Sequence, residues 1–144
     1  MTDPAELRAR TLLGSVAGAD ALASYEELGV VEVIGGEGYG YLLYPHRPIV
    51  AFDSRNREPL SELCVLFPDE HGGETGTRLP DADDVLAKWL ALRANERGLM
   101  ARANLDAVGR QLDPAMVRRD LARLRAWSAD PAQAVASPAP EAAR

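Results

Sequence analysis

The sequence predicts an α+β fold, a four-stranded antiparallel meander over about 30–67 flanked by N-terminal helices and by two to three C-terminal helices. Three observations lead there. The segments VVEVI (30–34), YGYLLY (39–44), PIVAF (48–52) and ELCVLF (62–67) are short, rich in Val, Ile, Tyr and Phe, and bounded by Gly, Pro, Asn or Asp. The gaps between them are too short for a crossover helix, so neighbouring strands must run antiparallel. Outside this block, apolar residues recur at helical spacing behind cap signals.

The first helix is marked by Asp3-Pro4-Ala5-Glu6, an N-cap acid, a proline at the first helical position and a carboxylate at the third. Leu7, Leu12, Leu13 and Val16 form its expected buried stripe, and Gly14 and Gly18 weaken it toward its end. A second helix spans Ala19 to Leu28, with Gly29 as its stop.

Within the sheet, Gly35-Gly36-Glu37-Gly38 reads as a tight hairpin and Pro45-His46-Arg47-Pro48 as a turn. Side chains alternate faces along a strand, so Tyr39, Tyr41 and Leu43 share one face and Leu42 and Tyr44 the other, while Ile49 and Ala51 oppose Val50 and Phe52. Both faces are apolar, so both need cover, from helices on each side or from a partner subunit.

The stretch 68–80 is a polar loop. Asp81 caps the next helix, whose stripe is Val85, Trp89 and Leu92, widened by Leu86 and Leu90; it runs through Asn95 toward Leu99 or bends at Gly98. A shorter helix is expected around Leu105 to Leu112, and another from Pro114 to about Trp127 with Val117, Leu121 and Leu124 inward. Residues 1–128 read as a single domain, and 129–144, almost all Ala, Pro and Ser, as a disordered tail.

No run is apolar and long enough for a membrane helix, and the N-terminus lacks a basic and then apolar leader, so a cytoplasmic location is expected. Cys64 is the only cysteine and can form no internal disulfide. Charge is uneven: residues 1–96 carry a net −9 and residues 97–127 a net +4, which suits a nucleic acid, an acidic partner, or neutralisation of the body by its own basic segment.

The basic segment holds the sharpest motif. In LDAVGRQLDPAMVRRDLARLRAW (105–127), the series Val117, Arg118, Arg119, Asp120, Leu121 and Leu124 resembles the Val-Arg-Arg-Asp-Leu-x-x-Leu pattern of the helix-turn-helix half of winged-helix transcriptional repressors. The resemblance implies that Arg118, Arg119 and Arg123, with Arg110 nearby, project toward phosphates or base edges. The alternative is an amphipathic helix packed on the sheet with a solvated arginine face.

Elsewhere the chemistry is sparse. Cys64 lies mid-strand and reads as a small buried hydrophobe, His46 as an exposed turn residue, and His71 with Asp69, Glu70, Asp81, Asp83 and Asp84 as a solvated acidic surface rather than a metal site. Gly36-x-Gly38-x-Gly40 is one residue short of a kinase phosphate loop. The sequence therefore points to a non-catalytic protein without cofactor or metal that binds a protein partner or itself, with Tyr39, Tyr41 and Tyr44 as interface aromatics, and with DNA binding through 114–127 as the alternative. If an enzyme were hidden here, His46, Cys64 and the carboxylates of 69–84 would converge on one pocket.

Overall fold

The computed structural model describes residues 2–65 and 78–129. Most of the loop expected at 68–80, with Asp69, Glu70 and His71, and nearly all of the tail expected at 129–144 lie outside them. The described chain is α+β: α1 (Pro4–Ala17), α2 (Ala19–Leu28), β1 (Val31–Ile34), β2 (Tyr39–Leu43), β3 (Ile49–Asp53), β4 (Pro59–Cys64), α3 (Asp81–Arg102), β5 (Asn104–Asp106) and α4 (Pro114–Ala129). Five strands form one antiparallel sheet in chain order. The fifth replaces the helix expected around Leu105 to Leu112, and β4 begins three residues earlier than its apolar run.

Helices cover both sheet faces. Val31, Val33, Tyr41, Leu43, Ile49, Ala51 and Leu63 share one core with Ala9 and Leu13 of α1, Tyr25 of α2, and Val85, Leu86, Leu92 and Leu99 of α3. Val30, Leu42, Tyr44, Val50 and Phe52 share the other with Leu112 and with Val117, Leu121 and Leu124 of α4. The alternation read from the sequence is thus the division between two cores, and it is α4 that shields the second one. Gly40 belongs there: it pairs with Phe52, and a Cβ on it would fall 2.2 Å from the Phe52 ring.

Two helices depart from their expected stripes. In α1 only Ala9 and Leu13 are buried, and Leu7, Leu12 and Val16 are 51%, 49% and 42% exposed. α1 docks through small residues instead, since a Cβ on Gly14 would lie 2.8 Å from Leu22 of α2. In α3, Leu90 faces outward, and the helix kinks at Asn95 (φ −162°, ψ 81°) rather than at Gly98. Asn95 Oδ1 accepts from the Gly98 amide at 3.0 Å, as an N-cap does, and so starts the last turns of α3 afresh.

Buried carboxylates fix the connections. Glu62, fully buried on β4, accepts from the amides of Gly109, Gln111 and Leu112 at 3.0 Å each and so gathers the β5–α4 loop. Glu6 accepts from the Ala82 amide at 3.0 Å and ties α1 to the start of α3. Glu96 accepts from the Gly36 amide and the Tyr41 hydroxyl and docks the β1–β2 hairpin on α3.

Candidate anion-binding face

α4 begins at Asp113-Pro114, where Asp113 Oδ1 accepts from the Ala115 amide at 3.0 Å. With Val117, Leu121 and Leu124 against the sheet, helical periodicity turns Arg118, Arg119, Arg123 and Arg125 outward. The one acid on the helix, Asp120, is buried.

Asp120 divides its two oxygens. Oδ2 accepts from the Tyr44 hydroxyl at 2.7 Å in the second core. Oδ1 accepts from Arg119 Nη2 and from Arg123 Nη1, both at 3.2 Å. A carboxylate stripped of water needs such donors, and the two arginines supply them while keeping their outer N–H groups toward solvent, at 61% and 41% side-chain exposure. Burial above all, and then the bond to Asp120, raise the Tyr44 hydroxyl well above the ordinary tyrosine range, so it stays a donor; Arg119 and Arg47 pull against that rise.

Arg47, in the β2–β3 turn, places Nη1 3.9 Å from Met116 Sδ. Met116, Arg119, Asp120 and Arg123 are spaced i, i+3, i+4, i+7 and so make one stripe of α4, with Arg47 at its N-terminal end. On the other flank Arg118 pairs with Glu58 at 3.5 Å, with both side chains 60% exposed. Behind the face, Arg57 holds the helix in place: it bonds Glu32 at 2.7 Å and Leu121 O at 3.0 Å and lies over the Phe52 ring.

No protein-family model, curated protein or solved structure matches this chain.

The other residues singled out from sequence fall in separate places. Arg110 pairs with Asp106 at 3.5 Å beside β5, off α4. Tyr41 and Tyr44 are 0% and 6% exposed because α3 and α4 cover their rings, and Tyr39 is half-buried at the rim of the first core. Neither Tyr41 nor Tyr44 therefore lies on the surface of the chain. Among the described residues, no helix is long and apolar enough to cross a membrane.

His46 is half-buried rather than exposed. It adopts φ +57°, and its side chain is 9% exposed. Its amide donates to Asp84 Oδ2 at 2.7 Å, and Nε2 lies 3.0 Å from Leu79 O and 3.2 Å from Asp81 Oδ1. Lys88, 2% exposed, donates to the same Asp84 oxygen at 2.6 Å and to Tyr44 O and Arg47 O at 2.8 Å each. This buried pair moulds the β2–β3 turn and thereby sets the place of Arg47. Cys64 does not join it: it lies on β4, where its sulfur accepts from Gln111 Nε2 at 3.2 Å. Among the described residues no cluster of three or more His, Cys, Asp or Glu side chains is arranged to hold a metal ion.

Proposed function

We propose that the protein is a non-catalytic, cytoplasmic interaction module that binds an acidic protein partner through the outer face of α4. One observation carries this reading. Both sheet faces are occupied by the chain's own helices, while α4 turns four arginines outward and buries its only acid. Like charge held together on one rigid helix steers and orients a partner of opposite sign.

Duplex DNA at the same face is the second reading, favoured by the series Val117 to Leu124. Against it, β5 and a turn precede α4 where the repressor pattern has a helix. The acidic remainder of the chain, a net −9 over residues 1–96, also repels a phosphate backbone.

Fluorescence titration with polyglutamate and with a short DNA duplex, each at low and at physiological salt, tests both readings. Polyglutamate is expected to bind the native chain, more weakly as salt rises, and to lose binding when Arg118, Arg119 and Arg123 are all replaced by Ala. Salt-dependent binding of the duplex alone selects the DNA reading. Binding of neither removes the face as a functional surface. Light scattering alongside reports whether a second copy is the partner.

A further inference from the structure

We infer that Arg47, Arg119 and Arg123 form a receptor for a single dianionic group, the phosphoryl group of a phosphorylated protein segment, with Asp120 and Tyr44 as its positioning residues. This rests on the proposed binding role of α4 and names the group that the face accepts.

The first argument is convergence. Two guanidinium groups meet on one carboxylate oxygen of Asp120, so they are held within a few ångströms of each other rather than spread along the helix. Arg47 reaches the same stripe through Met116. Two cations thus meet on one buried anion, and a third stands at the end of the same stripe, against Met116.

The second argument is charge. Along this stripe three arginines outnumber the single carboxylate by two positive charges, which matches a phosphomonoester near neutral pH better than a single carboxylate. Each guanidinium also keeps N–H groups that Asp120 does not use, in the planar fork that suits phosphate oxygens.

The third argument is rigidity. Exposed arginines ordinarily lose side-chain entropy when they grip an anion. Here Asp120 has already fixed Arg119 and Arg123, and Asp120 is itself fixed by Tyr44 from within the core. Arg47 sits on a turn whose backbone is held by Lys88. A preorganised site of this kind discriminates by shape as well as by sign.

The test uses the full chain and three otherwise neutral peptides carrying phosphoserine, glutamate or serine at the centre, followed by fluorescence anisotropy. The phosphoserine peptide is expected to bind at least about tenfold more tightly than the glutamate peptide, and the serine peptide not to bind. Arg47→Ala and Arg123→Ala are each expected to lose at least about tenfold, and Arg93→Ala, on the opposite side of the sheet, to change nothing.

Asp120→Asn is decisive in sign. It removes a negative charge from the face but replaces the charged anchor of both arginines by a weaker, neutral acceptor, so positioning predicts weaker phosphopeptide binding, whereas mere charge predicts tighter. Tyr44→Phe removes only the hydroxyl, offers a milder lesion should Asp120→Asn unfold, and is expected to weaken binding severalfold. Equal affinity for the phosphoserine and glutamate peptides, or tighter binding by Asp120→Asn, overturns the inference. If polyglutamate still binds in that case, the broader role of α4 stands; if it does not, both fall.

Discussion

Lys88 Nζ lies 2.6 Å from Asp84 Oδ2, and the two side chains are 2% and 0% exposed. The ammonium spends its other two protons on Tyr44 O and Arg47 O, so a single buried cation organises the whole turn between β2 and β3. Removing one member of such a pair leaves the other buried without its counter-charge.

Lys88→Met is therefore expected to destabilise the fold by about 3–5 kcal/mol. Urea unfolding checks it. Adding Asp84→Leu to the same chain should restore part of the loss, since no unpaired charge then remains, but not all of it, because Asp84 also receives the His46 amide.

Glu62 gathers three backbone amides in a dry site. Glu62→Ala orphans all of them, at about 1–3 kcal/mol each, while Glu62→Gln keeps one acceptor oxygen and is expected to fall between. Hydrogen exchange at Gly109, Gln111 and Leu112 should speed up in both variants, before any change at β2 or β3.

Gly35 permits the closest approach of the hairpin to α3. A Cβ there would lie 2.2 Å from Glu96 Oε2, so Gly35→Ala must displace the carboxylate that holds Tyr41 and the Gly36 amide. An expected cost of about 1–3 kcal/mol, with a changed near-ultraviolet signal from Tyr41, would show it.

Acid stability depends on Glu6. Burial by itself raises its carboxyl, but bonds from the Ala82 amide, Tyr25 and Arg10 outweigh burial and bring it below the ordinary value of 4.5. Its contribution is therefore present above that value and lost as pH falls through the lower folded one. The stability difference between native chain and Glu6→Gln should shrink steadily through that window, as read by denaturation at a series of pH values.

Alkali acts in the opposite direction. Burial first, and then the carboxylates of Glu6, Glu96 and Asp120, raise the hydroxyls of Tyr25, Tyr41 and Tyr44 well above 10.0. Their contribution is complete below that value and declines as pH rises beyond it. Tyrosinate absorbance is expected to show these three ionising together with unfolding rather than ahead of it.

What could be read beforehand was whatever has a short period. Strand alternation assigned Tyr41 and Leu42 to opposite faces, and Asp113-Pro114 marked the start of α4, because both signals lie within a few residues. Asn104–Asp106 gives no such signal: three residues carry no period, and they pair with β4 beside a loop that Glu62 gathers from across the sheet. That His46 is half-buried was hidden for a related reason. Asp84 and Lys88 stand four apart, as many surface pairs do, and only the turn folded over them from some forty residues away makes the pair a core feature.

The arginine cluster was half legible. The spacing of Arg119 and Arg123 was plain, but their common anchor depends on Tyr44, seventy-six residues from Asp120, which as a sequence feature looked like interface material. The stripe expected on α1 held at Leu13 alone, because small side chains such as Ala9 and Gly14 allow a closer helix contact than leucines do, an outcome that hydropathy does not encode.

A sheet whose spatial order repeats its chain order also bears on how the protein folds. The first three ladders join strands that follow one another closely in the chain, so those hairpins need to close only short stretches before they are rewarded, whereas β5 reaches β4 from some forty residues away, across α3. In a molecule where the ribbon of hairpins forms first, the helices dock on its two sides afterwards, α1, α2 and α3 on one and α4 on the other. Until α4 arrives, Leu42, Val50 and Phe52 lie open, and the half-finished molecule is at its greatest risk of sticking to another.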